Sequence, residues 1–321
     1  MDYSHELELS LKYLRSETAL KSLNADPYWP KWNSPWWHMQ LLHEMNLSRD
    51  IPESVISTYI DSLNKLPLKI FPINPEDLPE NVDPYRETPC HCQLGNVYQV
   101  LSSRGVDVDG ELPWIRPWFL RYQMADGGLN CDNAAYLAKD EIASSMVASI
   151  SAFEAILLCT HRPWTSEEID FLKKGADFLM KRKLMEGSPT RHNANERVSA
   201  EKWMLLCFPR FYFYDVLRGL TALMNWAEKT KSTIPFDVVE PVVTAIGKRF
   251  SDGNLRNERL SFAGNKTLAQ DANGSWQRGQ PAILFPLLEK TSKIGDVSPF
   301  LSQQWRDTKS RLATYSKRQQ L

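Results

Sequence analysis

Apolar positions recur every three to four residues through most of the chain, and strict alternation of apolar with polar positions is nearly absent. That period lays an apolar stripe along a helix and predicts the all-α class. Pro, Gly and Asn punctuation between the periodic stretches divides the chain into helices over residues 4–23, 36–47, 52–66, 91–104, 112–122, 141–160, 166–184, 209–228, 236–250, 278–290 and 297–317. Two kinds alternate. The stretch SEEIDFLKKGADFLMKRK sets Ile169, Leu172, Ala176 and Leu179 on one stripe opposite a charged face, as an outer helix does. The stretch EIASSMVASISAFEAILLC places Ala and Ser between Ile142, Met146, Ile150, Phe153 and Leu157, so it is apolar or small on nearly every side. Such a helix is buried, and its small residues let a neighbour approach closely. Glu154 within it needs a partner or a proton, and Arg218 is one candidate. Inner and outer helices alternating every fifty to seventy residues, roughly, predict stacked hairpins that form an open solenoid or close into a ring.

Composition narrows the function classes. The 321 residues include 38 basic and 39 acidic side chains, a net charge of −1, with no long block of either sign. A nucleic-acid or anionic-membrane footprint is therefore not expected. The opening MDYSHELELSLKYLRS lacks the basic start and apolar core of a secretion signal, and no segment has 18 uninterrupted apolar residues. Five cysteines, two of them separated by a single residue at Cys90 and Cys92, do not read as a disulfide framework. Reduced thiols and a cytoplasmic location are expected.

Two polar loops add a motif. In QMADGGLNCD, Gln123, Gly127 and Leu129 share the spacing of Gln270, Gly274 and Trp276 in QDANGSW, which fits Q-x3-G-x-W. The pattern resembles the QW repeat of the squalene cyclase and protein prenyltransferase superfamily. That resemblance implies an α/α toroid of about five or six helical hairpins, here one domain over residues 1–321. It further implies a site where the inner helices begin and a small hydrophobic ligand, isoprenoid-like or acyl-bearing. The superfamily's D-x-D-D run and its D-x-C zinc motif are both missing. The nearest acidic run, DVDGE at 107–111, reads as a helix start with Asp109 as its cap.

A second toroid family, the lanthionine cyclases, holds zinc with a lone Cys and an adjacent Cys-His pair that opens an inner helix. TPCHCQLGNVYQVL is similar in placing Cys90 and His91 before an inner helix, with Cys131 in another loop. This chain has Cys92 where that family has Gly, and Asn130 where it has Trp. The resemblance makes Cys90 and His91 candidate zinc ligands. The residues themselves allow two readings, since thiols near a helix N-terminus are either activated nucleophiles and ligands or small buried fillers.

Cys92, Cys131, Asp126 and His38 are the candidate catalytic groups, the first two as thiols and the last two for proton transfer. Asp126 and Asp132 equally suit the backbone of a tight turn. Trp37, Asn130, Arg210, Tyr212 and Tyr214 are candidate substrate contacts, the last three within the aromatic stretch CFPRFYFYDVLRGL. Core packing is the competing role for those rings, and an Asp215–Arg218 surface pair for the charges. The polar loop EGSPTRHNANERVSAEKW, with Arg191 and His192, suits a lid or a plain connection. Together these features point to an enzyme, a lyase, isomerase or transferase that uses acid/base or thiol-assisted chemistry. The alternatives are a non-catalytic toroid binding a ligand or peptide, and a zinc-dependent enzyme like the lanthionine cyclases.

Overall fold

The computed structural model describes residues 2–68, 76, 78–87, 89–262 and 266–319. The chain is mostly helical, as the periodicity predicts. The first helices are α1 (Ser4–Leu14), α2 (Glu17–Ala25), α3 (Pro35–Glu44), α4 (Glu53–Asn64) and α5 (Pro84–Glu87), with a 3-10 turn at Ser48–Asp50. The middle of the chain forms α6 (His91–Arg104), α7 (Val108–Glu111), α8 (Ile115–Arg121), α9 (Asn133–Leu137), α10 (Met146–Cys159), α11 (Ser166–Lys181) and α12 (Ala194–Ala200). The remainder comprises α13 (Val216–Thr230), α14 (Phe236–Arg249), β1 (Lys266–Gln270), β2 (Trp276–Pro281), α15 (Pro286–Thr291) and α16 (Pro299–Gln319). No helix among the described residues is long and apolar enough to cross a membrane.

The small-residue helix is the centre of the molecule. α10 is buried without a break from Ala148 to Leu157, and α6 from His91 to Leu101. These two helices form the most extensive pairing in the fold. Gly95 explains how close they come, because a Cβ there would sit 2.3 Å from the backbone carbon of Ser151. α3 packs on α6, α10 on α13, and α13 on α16, while α1 touches both α3 and α15. Outer helices cover this series. α11 starts on a capping box of Thr165 and Glu168 and buries Phe171, Leu172, Ala176, Phe178 and Leu179. Ile169, expected on that stripe, is 53% exposed, and Phe171 and Phe178 take the inward places.

Several predicted helices end early for identifiable reasons. The stretch 4–23 breaks at Ser16, whose hydroxyl accepts the Ala19 N–H and starts α2. Residues 142–145 are not helical, and extended Ser145 bridges to Leu129, so α10 begins only at Met146 and Ile142 is exposed. Residues 209–215 are not helical. Pro209 offers no N–H, Phe211 has φ of 55°, and Asp215 caps α13 by accepting the Arg218 N–H. Asp109 is not a cap, since Asp107 takes that place, and it binds Tyr98 and Arg116 instead.

The largest departure is at 278–290. QDANGSW is the turn of the β1–β2 hairpin, with Gly274 at φ of 80° and Asp271 accepting the N–H groups of Asn273 and Ser275. This second loop therefore joins strands rather than helices. The first loop behaves differently. Gln123 Nε2 donates to the carbonyls of Gly127 and Phe171, and Gly127 lies against α11, where a Cβ would fall 2.0 Å from the Lys174 oxygen.

Candidate metal centre

The N-terminus of α6 collects the thiols. Cys90 sits in the N-cap position, Cys92 follows in the first turn, and Cys131 comes from the loop ahead of α9. Their sulfurs lie within 4.8 Å of one another. Cys90 and Cys92 are 3.3 Å apart, and the Cys92 N–H points to the Cys131 sulfur at 3.4 Å. All five cysteines of the chain are free. Hydrogen bonds with Cys131 and Cys92 hold the Cys90 thiol well below its ordinary pKa, and hydrogen bonds to Cys90 and Cys92, with burial, hold Cys131 up. A cluster that shares one ready thiolate at a helix N-terminus is a natural cation ligand set.

His91 does not belong to it. Its Nδ1 lies 2.6 Å from the Asn130 carbonyl, and its ring packs among Trp118, Phe119, Tyr122 and Tyr136. Burial lowers its pKa to about 4, so the ring is neutral. Helical geometry explains the exchange of roles: consecutive residues on a helix point about 100° apart, so Cys90 and His91 diverge while Cys131 reaches in from outside.

Other candidates also take structural parts. His38 is buried against Phe285, ring centroids 3.6 Å apart, with Ser10 Oγ 3.2 Å from Nδ1, and burial lowers its pKa to about 3. Asp126 accepts the Gly128 N–H and the Ser144 hydroxyl, which is the turn role. Asn130 braces its loop by donating to the Ala143 carbonyl and accepting the Asp132 N–H. Asp132 caps α9 and lies 2.9 Å from His192. Trp37 is fully buried against Trp32 and Phe211, and Tyr214 donates its hydroxyl to the Leu184 carbonyl. These rings pack on one another rather than on an open hydrophobic pocket.

Tyr212 does face the thiols' surroundings, through a residue that the sequence pattern does not mark. Lys31 Nζ lies 3.1 Å from the Tyr212 hydroxyl and between 5.2 and 5.7 Å from the ring centres of Tyr28, Trp29, Trp32 and Tyr212. Burial lowers its pKa, and charge interactions with Cys92 and Cys90 oppose that shift. The hairpin fixes this loop from above, since Thr267 Oγ1 accepts the Lys31 N–H at 2.7 Å and Trp276 stacks under Arg86. A Lys among aromatics in YWPKWN is the only trace of this in the sequence, and nothing in its spacing brings residue 31 to residue 92.

A second polar region begins one turn further along α6. Asn96 Nδ2 donates to the Cys92 carbonyl, and its Oδ1 accepts from Arg218 at 3.2 Å. Arg218 is the partner of Glu154, with a shortest contact of 2.6 Å. It also donates to the carbonyls of Phe211 and Phe213. Arg210 pairs with Asp215 at 2.7 Å and donates to Gln304 at 2.8 Å. Asp215 thus cannot be the surface partner of Arg218, because Arg210 reaches it first. Glu44 accepts the N–H groups of Arg210 and Phe211 at 2.7 and 2.6 Å, and burial raises its pKa to about 7. Asn96, Arg218, Glu154, Arg210, Gln304 and Glu44 line a cavity of about 500 Å³ between α3, α6, α10, α13 and α16. It involves the middle of α6 and the C-terminal halves of α3 and α10, not the end where those helices begin.

Comparison with protein-family models gives no match, and neither curated proteins nor solved structures give one. The functional reading therefore rests on the residues themselves.

Proposed function

We propose that the chain is a zinc-dependent enzyme whose metal is held by Cys90, Cys92 and Cys131, and that it catalyses a thiol-assisted reaction on a small molecule. The observation that carries this is the convergence of three sulfurs within 4.8 Å on one helix N-terminus. Three protein ligands leave one of the usual four zinc positions for a reactant, the pattern of catalytic rather than structural sites. Charge supports the fit. A divalent ion on three thiolates leaves one negative charge, which the adjacent Lys31 ammonium offsets in a buried setting.

When bound, zinc supplies Lewis-acid activation of a thiol near neutral pH. The incoming thiol gives its proton to solvent, and the Lys31 ammonium donates a proton to carbon as sulfur adds across an activated double bond, then regains one from solvent. No group leaves in such an addition. Tyr212 positions Lys31 through its hydroxyl. The fold in this reading is an α/α toroid, supported by the run of neighbours from α3 through α6, α10 and α13 to α16 and by the return of α1 onto α3 and α15. Neither the acidic run nor the D-x-C motif of the prenyl-processing enzymes is present, which favours the lanthionine-cyclase-like alternative.

Elemental mass spectrometry of the purified chain tests the reading. One zinc per chain is expected, lost in Cys90→Ser and Cys131→Ser and kept in His91→Gln, with thiolate-to-cobalt charge-transfer bands after cobalt substitution. Absence of metal after anaerobic reconstitution, or a cobalt spectrum without those bands, overturns it.

A further inference from the structure

We infer that Cys90 and Cys131 close a reversible disulfide when the chain meets a hydroperoxide, so that the thiol cluster at the start of α6 is also an oxidation-sensitive switch. What the bridge does to a metal rests on the zinc reading above. The bridge itself rests only on where the sulfurs lie.

The first argument is reach. The three sulfurs lie within 4.8 Å of one another, against about 2.05 Å in a disulfide. The gap left to close is at most about 3 Å, the swing of one sulfur between staggered rotamers. The two chain segments are already tied together beside the cysteines, because the Asn130 carbonyl sits 2.6 Å from His91 Nδ1 and the Cys92 N–H points to the Cys131 sulfur at 3.4 Å.

The second argument is the choice of partner. Cys90 and Cys92 stand closer, at 3.3 Å, yet a bridge across one residue bends the backbone between them. That residue is His91, fully buried and packed among four aromatic rings. Cys131 comes from a separate loop and asks for no such bend. Cys90 stands at the N-cap with extended backbone, whereas Cys92 lies inside the first turn and is only 8% exposed. Cys90 and Cys131 are both part-exposed, so a small peroxide reaches them.

The chemistry closes on these atoms. The thiolate of one cysteine attacks a peroxide oxygen: an S–O bond forms, the O–O bond breaks, and the other oxygen leaves as water or an alcohol. The second thiol then attacks the sulfenic sulfur, forming the S–S bond and releasing water. The peroxide takes up the two electrons that the thiols lose, and exchange with a small reducing thiol reverses the bridge. Zinc bound by three thiolates would keep only one of them after this step and would be released.

The metal-free full chain, treated with equimolar hydrogen peroxide, alkylated and mapped by mass spectrometry, tests the inference. Loss of two of the five thiols is expected, in a Cys90–Cys131 crosslinked peptide that dithiothreitol reverses, with Cys159 and Cys207 still alkylated. Cys92→Ser, checked for native melting, is expected to keep that crosslink. The zinc-loaded chain is expected to give up its metal to a chromophoric chelator as the crosslink forms. All five thiols retained, a crosslink to Cys92 or between chains, no crosslink in Cys92→Ser, or a crosslink formed with zinc still bound overturns the switch. A crosslink in a chain that binds no zinc strikes the metal reading alone, whereas bound zinc with no crosslink in the metal-free chain strikes the switch alone.

Discussion

The two polar regions along α6 are one helical turn apart and opposite in character. At the start of the helix, three thiols sit together with one ammonium nearby, an arrangement that could hold a cation. Past Asn96, the cations Arg218 and Arg210 are each already paired with a carboxylate. The comparison teaches that reactive residue types are a poor guide on their own. What a site can receive is set by which of its groups the fold has already satisfied.

The largest expected effect breaks the comparison at the metal end. A ligand present at a thousand times its Kd stabilises the folded state by about 4 kcal/mol. A chelator should therefore lower the melting temperature of the wild-type chain and leave Cys131→Ser unmoved. Equal chelator sensitivity in both proteins would contradict the assignment of Cys131 as a ligand.

At the cavity end the charged pair is the weak point. Removing one partner of a buried pair costs about 3–5 kcal/mol, because the other is stranded. Arg218→Met should show that loss in denaturant unfolding, and Arg218→Met combined with Glu154→Leu should recover much of it. A double variant as unstable as the single one would mean that the other partners of Arg218, such as the Phe211 and Phe213 carbonyls, matter more than Glu154.

Lys31→Met sharpens the contrast at the thiols. Losing one partly screened charge should weaken zinc binding by about tenfold while leaving three ligands in place. Competition with a chromophoric chelator measures it, and unchanged affinity would remove Lys31 from the charge balance.

The smallest effect lies in pH. Glu44 is raised from 4.5 to about 7, mainly by burial, so its folded form holds a proton that the unfolded chain has released, and stability falls as pH rises through that window. His43, lowered from 6.5 to about 4 by burial and then by Arg218, acts in reverse, with stability falling as pH drops from 6.5 towards 4. Between 4.5 and 6.5 the two slopes oppose each other. Glu44→Gln should expose the rising slope and His43→Gln the falling one, each at most about 1.4 kcal/mol per pH unit. Parallel stability profiles for both variants would show that the cavity wall does not stay uncharged in this way.

Local pattern carried the helices whose surroundings are uniform. α6 follows the predicted bounds of 91–104, and the small residues of α10 mark it as buried. The need of Glu154 for a partner or a proton was legible on an all-buried helix, with Arg218 one candidate, and the fold supplies Arg218. The stretch 209–215 reads as helix in the sequence but is not helical. Its aromatic run has no clear period, and the Asp215 cap and Pro209 were the signals to weigh. The hairpin was hidden because most of its side chains are exposed, which erases alternation as a signal. Lys31 and the cavity are products of tertiary approach alone. Thr267 meets Lys31 across 236 residues, and Arg210 meets Glu44 across 166.

The contact of Gly95 with the backbone at Ser151 bears on time as well as space. Two helices locked at that separation open together or not at all, so the seam belongs to the slowest-exchanging part of the molecule. Cys92 and Asn96 on one side and Glu154 on the other are carried by it. A metal held at the thiols would then come and go many times within the lifetime of one closed seam, and each arrival would meet side chains held by the same unbroken frame.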